Sequence, residues 1–511
     1  MSNQLNAQAR DKRDVRIRLS VETVLFFFLL TLIFGIRITN IRYNTLFVDE
    51  AIYVQVGDTM LAGVEQNATT WMYGSYLYPI LASFANFLGG DVGLRMLSAL
   101  LTSLAAVLVF QITVRLFDTI AGLWAMLIFG LTPISINVGQ YAVYDALAIP
   151  LLALTAFFLV RAGETHGRKE YRLLLLAATS MTVAILAKYL AALYVPALLL
   201  LAVMVYRLRG RRMWPLFGIF LSATVALLAA YAAAYWQDLT ILFTGEYGVQ
   251  AGSLWAILAS LWGEIGLTTL LAGVGGFWLL RIWSQQPLTQ RVSRAFGWSL
   301  LLCAFVITVF AGPLYHIVSG NEHATWKHTI YTLVFIAPLA GYGIAATIEA
   351  LRARQRQYRW LIIVGPILTI IITSIFLNRI LDRNWSFQNS WPNVNNEVSF
   401  LRSQNINNQQ HILAEGAQIY SYYFDFPTSD RNVWQDTWYI EYNGLQGVAA
   451  MDAAIRDGWF DYVVFDDYYT PGLRATLEPV LLSNGYTVGF EESKPLGVSG
   501  QVLSRIYVRT K

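Results

Sequence analysis

Apolar runs of about 20 residues recur along the chain from Val21 to Leu377, and each is long enough to cross the roughly 30 Å of hydrocarbon in a bilayer. Hydrocarbon offers no partner to a backbone N–H or C=O, so such runs must be helices or a closed barrel, and unbroken apolar stretches of this length are helical. The balance of residues agrees. Only 13% of the 511 residues are charged and 56% are hydrophobic, where a soluble domain carries about 25% charged residues. Mean hydropathy is +0.48. The chain is therefore a polytopic α-helical membrane protein. Its first run, 21–38, follows a basic head but has no small-residue cleavage site behind it, and is expected to be a retained helix rather than a signal peptide. The single cysteine, Cys303, permits neither an intrachain disulfide nor a cysteine-based metal site.

Eleven spans are expected, at about 21–38, 93–113, 120–138, 142–161, 173–187, 189–206, 214–236, 255–280, 296–316, 328–349 and 360–378. Cytoplasmic loops are rich in Lys and Arg. With the N-terminus (1–20) inside, every basic cluster before residue 379 falls on one side: Arg10 to Arg18, Arg161 to Arg172, Arg207 to Arg212, Arg281 to Arg294 and Arg352 to Arg359. An odd number of spans then places the C-terminus outside. The first outer loop is 39–92, and the short apolar segment 76–88 within it is expected to lie along the outer interface. From about Arg379 the chain turns polar. "HILAEG", "DYVVFDDYY" and "RIYVRT" read as strands, and "LQGVAAMDAAIRDG" and "LRATLEPVLLSNG" as amphipathic helices ending in Gly. A small extracytoplasmic α/β domain over 379–511 follows, with no Gly-rich phosphate loop behind any of its strands.

Ionisable groups at membrane depth are costly, so each is a functional candidate. Asp49 and Glu50 sit in "TLFVDEAIYVQ", Arg95 in "DVGLRMLSALL", Asp145 in "GQYAVYDALAIP" and Lys188 in "AILAKYLAALYVP". His316, His323, Lys327 and His328 come from "GPLYHIV" and "NEHATWKHTIY". In the expected topology all of them reach one face of the bilayer. Helix capping by Asp145 and headgroup anchoring by Arg95 and Lys327 are the structural alternatives. A carboxylate facing a hydroxyl acts as a general base, and nearby cations neutralise a phosphate leaving group. Tyr53, Tyr73 and Tyr76 would suit a sugar or lipid headgroup.

This pattern resembles the GT-C superfamily of integral-membrane glycosyltransferases, most nearly the family 39 and family 83 type that holds protein O-mannosyltransferases and aminoarabinose transferases. Four stretches carry the resemblance: "FVDEAIYVQVGDTML", "LGGDVGLRMLSALLTSLAAVLVFQITVRLF", "AGLWAMLIFGLTPISINVGQYAVYDALAIPLLAL" and "LAKYLAALYVPALLL", in order over residues 20–200. It implies a GT-C fold and an inverting transfer of a sugar from a polyprenyl- or dolichyl-phosphate donor to a protein, lipid or polysaccharide acceptor outside the membrane. Residue by residue, it implies Asp49 as general base, with Glu50 and Asp145 holding the acceptor or its loop. It implies Lys188, Arg95, Lys327 and His328 toward the donor phosphate, Arg95 alternatively tying the outer loop to the bundle. One departure stands out: family members often carry a His or Lys beside prolines in the second half of the outer loop, where this chain has "WMYGSYLYPIL". No cofactor is required by these residues, metal dependence stays open, and no nucleic-acid partner is expected. Two other functions predict different features. A lipid-linked sugar flippase would show inverted repeats and charges at the midplane. An oligosaccharyltransferase- or polymerase-like enzyme would show a Trp-Trp-Asp-Tyr-Gly type motif, where the nearest string is "VWQDTWYIEYNG".

Overall fold

A computed structural model describes residues 20–63, 72, 74–244, 252–284, 300–322, 324–354, 367, 371, 374, 375, 378, 385–424, 433–497 and 500–510. Among the described residues eight helices are long and apolar enough to cross a membrane, or ten spans if each of two bent helix pairs counts as one. These ten match the first ten expected from the sequence. Most of the eleventh, 360–378, lies outside the described residues.

Two breaks shape the part of the bundle that carries the charged residues. The Leu77–Leu116 helix is interrupted at Gly89 and Gly90, where φ of +60° at Gly90 is open to glycine without strain. The interruption separates the 77–88 segment from the span that follows. The third expected span is a pair of helices, Thr119–Leu131 and Pro133–Gln140, bent by 59°. Proline explains the bend: it forces Thr132 into the extended region, and it starts the second helix at a position where its missing N–H costs nothing. The helix Val48–Leu61 packs its backbone so closely on the next segment that a Cβ at Gly57 would collide with the carbonyl of Pro79.

A buried arginine fastens the first span to this framework. Arg37 is fully buried and donates to Thr102 Oγ1 at 3.0 Å, to the carbonyls of Ile33 and Gly130, and to both oxygens of Ser135. Gly139 makes room for it, since a Cβ there would lie 2.6 Å from Arg37 Nε.

The C-terminal part is a mixed sheet with helices. Strands β1 (Ile412–Ala414), β2 (Trp434–Asp436), β5 (Tyr462–Phe465), β6 (Tyr486–Leu496) and β7 (Gly500–Arg509) stack in the order β2-β1-β5-β7-β6. The first three are parallel, and β7 joins them to β6 antiparallel. A short hairpin of β3 (Glu441–Tyr442) and β4 (Leu445–Gln446) stands apart. The helices Gly447–Arg456 and Leu473–Ser483 cover the sheet, as their apolar periodicity required. The domain is docked on the Asp49 loop: Trp391 Nε1 donates to the carbonyl of Thr45 (3.0 Å), the Leu46 N–H to Tyr423 Oη (3.0 Å) and Gln55 Nε2 to the carbonyl of Gln418 (2.8 Å).

Candidate active site

Asp49 and Glu50 occupy the first turn of the helix Val48–Leu61, where the exposed N–H groups favour negative charge. The two carboxylates differ in every other respect. Glu50 is fully buried and accepts from four donors: the Phe47 N–H (2.9 Å), the Ala142 N–H (3.0 Å), and Arg95 through Nε (3.0 Å) and Nη2 (2.9 Å). Arg95 is equally buried. Its five N–H groups are matched by Glu50, twice, and by the carbonyls of Ile41, Asn44 and Thr45, each at 3.0 Å. Its guanidinium also lies over the Tyr43 ring, 4.4 Å from the centroid. All five donors of Arg95 are thus engaged within the outer loop.

Asp49 points the other way. Its side chain is 26% exposed, and among the described residues only its Oδ2 is engaged, by Tyr141 Oη (3.1 Å) and Lys327 Nζ (3.4 Å). Its Oδ1 accepts no hydrogen bond from the described residues. Lys327 lies at the start of the helix Thr325–Arg354, and its ammonium also feels the carboxylate of Asp145.

Asp145 is fully buried at the start of its own helix, Asp145–Gly163. Lys188 Nζ sits 2.8 Å from its Oδ1 and 2.9 Å from its Oδ2, and Tyr331 Oη donates to Oδ1 at 2.9 Å. Lys188 is held in extended backbone at the end of the helix Arg168–Ala187, and its ammonium lies 4.4 Å from the centroid of Tyr144. Beyond it, the carbonyl of Asn321 accepts from His316 Nδ1 (2.8 Å), so the neutral ring turns a lone pair at Nε2 toward His328 Nδ1, also at 2.8 Å. That relay leaves His328 Nε2 as the acceptor.

The structure thus gathers Asp49, Lys327, Asp145, Lys188, His316 and His328 into one cluster, with Glu50 and Arg95 as its buried support. Tyr53 is also buried, edge-on to Tyr78 (5.3 Å) and Tyr144 (5.0 Å), which makes it backing for the cluster instead of a wall of an open site. Tyr76 packs against Tyr235, 6.2 Å between centroids. Tyr73 and His323 lie outside the described residues. Among the described residues no group of three or more His, Cys, Asp or Glu side chains is placed to hold a metal ion.

Two contributions had not been read from the sequence. Tyr141 is buried and donates to Asp49; the signal was present in the tyrosine-rich "GQYAVYD" that carries Asp145. The second comes from the C-terminal domain. Asp436, Glu415 and Asp466 end or follow the three parallel strands β2, β1 and β5, the sheet edge where α/β proteins place their sites. All three are buried. Burial lifts Asp436 to about 6 and Asp466 above its ordinary range, and burial together with the neighbouring Asp466 carboxylate holds Glu415 well above the carboxylate range. Burial and the adjacent Asp466 carboxylate thus favour the protonated form of Glu415, and Asp466 Oδ1 accepts the N–H of Tyr468 at 2.9 Å. Glu415 Oε2 in turn accepts the N–H of Thr470 at 3.2 Å. The turn 466–470 fastened in this way sets Tyr469 against Phe47, 5.9 Å between centroids, two residues from Asp49.

Comparison with known proteins places this geometry. Residues 73–236 match the family model described as dolichyl-phosphate-mannose-protein mannosyltransferase. No curated protein sequence matches the chain. The structure of ArnT from Cupriavidus metallidurans bound to undecaprenyl phosphate is similar at a TM-score of 0.58 and 14% identity, over 94% of this chain and 98% of that one. The apo oligosaccharyltransferase of Archaeoglobus fulgidus is similar at a TM-score of 0.53 and 11% identity, over 93% and 74%. The same organism's AglB, in complex with an inhibitory peptide and a dolichol-phosphate, is similar at a TM-score of 0.50 and 11% identity, over 93% and 74%. The chain is a multi-pass membrane protein with the GT-C fold expected from its sequence, and its segment 73–236 carries the pattern of the dolichyl-phosphate-mannose-protein mannosyltransferase family.

Proposed function

We propose that the chain is an inverting glycosyltransferase that moves a sugar from a polyprenyl- or dolichyl-phosphate to an acceptor hydroxyl or amine at the extracytoplasmic face, with the N-terminus cytoplasmic. The observation that carries the proposal is the contrast between the two adjacent acids. Glu50 is saturated by Arg95 and backbone N–H groups, whereas Asp49 is partly exposed beside a lysine, with one oxygen that no described residue engages. The neighbours of known ligand are consistent with it, one holding undecaprenyl phosphate and another dolichol-phosphate.

In the proposed reaction Asp49 Oδ1 takes the proton of the acceptor as its oxygen or nitrogen bonds to the anomeric carbon. The bond from that carbon to the phosphate oxygen breaks on the opposite face, and the electron pair leaves with the lipid phosphate. Lys327 is the cation in contact with Asp49. At 3.4 Å its contact with Asp49 is loose, and turning to a donor phosphate would free the carboxylate as the phosphate arrives. Lys188 supplies a second cation. Lys188 acts chiefly by holding Asp145 in place, since both carboxylate oxygens already lie within 3 Å of its ammonium.

The test is donor consumption by the purified full-length protein across a panel of polyprenyl-phosphate sugars. Asp49→Asn should abolish transfer while donor binding persists, and full transfer by that variant would refute the assignment of the base.

A further inference from the structure

An unbroken series of aromatic contacts runs from an exposed part of the C-terminal domain to the carboxylate proposed as base. It begins at Trp438 and Tyr439, in the turn after β2, which are 43% and 71% exposed. Trp438 meets Tyr469 edge-on at 5.8 Å, and Tyr468 meets Tyr469 at 4.8 Å. Tyr469 meets Phe47 at 5.9 Å, Phe47 meets Tyr141 at 5.7 Å, and Tyr141 donates to Asp49. The outer members are exposed to half-buried, so the series is a surface strip at its distal end and a wall of the site at its proximal end. Exposed aromatic patches of this kind mark binding surfaces.

The chemistry of the strip selects its occupant. All six members are aromatic, and all but Phe47 carry a hydroxyl or an indole N–H. The electronegative face of a ring complements the C–H face of a pyranose, while the polar handles reach its hydroxyls. Burial and the carboxylates of Asp466 and Asp49 hold the Tyr468 hydroxyl at about 12, so it remains a donor at any working pH. A lipid chain would want an aliphatic floor, which the strip lacks. Continuity with Asp49 supplies the direction, because a chain of sugars lying on the strip would present its end to that carboxylate.

We propose that Trp438, Tyr439, Tyr468 and Tyr469 form a saccharide-binding subsite of the C-terminal domain that delivers a glycan acceptor to Asp49. The proposal rests on the transferase reading for its direction, but its test does not use the donor. Purified full-length protein is applied to immobilised oligosaccharides and, in parallel, to immobilised peptides, with no donor present. Wild type and Asp49→Asn should both bind a subset of the oligosaccharides. Trp438→Ala should weaken that binding at least about tenfold, as truncation of an aromatic anchor does, and Tyr439→Ala, at a more exposed position, should weaken it as well. Trp438→Phe, which keeps a ring, should retain most of it. Binding to peptides alone, no saccharide binding by wild type, or undiminished saccharide binding by both alanine variants would overturn the proposal. A missing donor turnover alongside ring-dependent saccharide binding would instead count against the transferase reading and leave the subsite standing.

Discussion

Replacing Arg95 with Met separates a structural arginine from a phosphate-binding one. Methionine fills much the same volume with no charge. It leaves Glu50 buried, with only the Phe47 and Ala142 N–H groups as partners, and it strips the Ile41 and Asn44 carbonyls of the donor they share. The Thr45 carbonyl keeps Trp391 Nε1. Removing one partner of a buried ion pair costs about 3–5 kcal/mol, because the remaining charge is uncompensated. Each orphaned carbonyl adds about 1–3 kcal/mol where it stays dry, though the contributions of neighbours do not sum simply. The expected loss therefore sits at the upper end of about 3–5 kcal/mol, a large share of a stability that is commonly about 5–15 kcal/mol. The assay is thermal unfolding of the detergent-purified protein, followed by tryptophan fluorescence, together with steady-state kinetics in donor and acceptor. Arg95→Met should unfold at a markedly lower temperature and lose activity in proportion to the folded fraction, with the donor KM of that fraction unchanged. Arg95→Lys should be intermediate, since three donors replace five. The double variant Arg95→Met, Glu50→Leu should recover part of the loss by removing the stranded carboxylate. An Arg95→Met protein that melts like wild type but shows a raised donor KM would refute the reasoning and return Arg95 to the phosphate.

The same logic extends to the other groups. Asp145→Asn and Lys188→Met each break a buried pair and should each destabilise by about 3–5 kcal/mol, whereas Tyr331→Phe, which loses one hydrogen bond to Asp145, should cost about 0.5–1.5 kcal/mol in the same melts. Tyr141→Phe should lower kcat without changing the donor KM, and an unaltered kcat would show that its hydroxyl does not position Asp49. Gly57→Ala drives a methyl into the Pro79 carbonyl and should shift the Asp49 helix, reducing both melting temperature and activity; a neutral result would show that the two segments are packed more loosely. In the C-terminal domain, folding raises Glu415 from 4.5 to about 10, so the folded state holds the extra proton and the stability it contributes declines as pH rises across that window. Glu415→Gln keeps a neutral side chain beside Asp466 and should melt above wild type at pH 8 to 9, with the difference shrinking toward pH 5; a difference independent of pH would refute the protonated form of Glu415.

The spans and their order were legible because they depend on length and hydropathy alone, and membrane depth made each ionisable group conspicuous before any partner was known. Pairing was not legible in the same way. Arg95 and Lys188 look alike in sequence, each a lone cation beside a span, and phosphate was the natural partner for both. The structure gives each a carboxylate more than 40 residues away, Glu50 and Asp145, and only the three-dimensional path of the chain decides that. The distinction between Asp49 and Glu50 was written into the helix start, since a Glu at the third helical position folds back to the N–H of the residue before the helix and its neighbour faces outward. The C-terminal domain was harder still. "DYVVFDDYY" read as one strand, yet the strand stops at Phe465 and the two acids belong to the turn beyond it. A parallel strand buried on both faces shows an apolar run with no alternation, so the first acid marks its end. Applied to "HILAEG" and "VWQD", the same rule assigns Glu415 and Asp436 to the carboxyl edge of the sheet. Three strand ends of one parallel set must then converge, and the tyrosines after the last of them are carried to whatever that edge faces. Here it faces the Asp49 loop, and that is why a domain remote in sequence shares a wall with the Asp49 site.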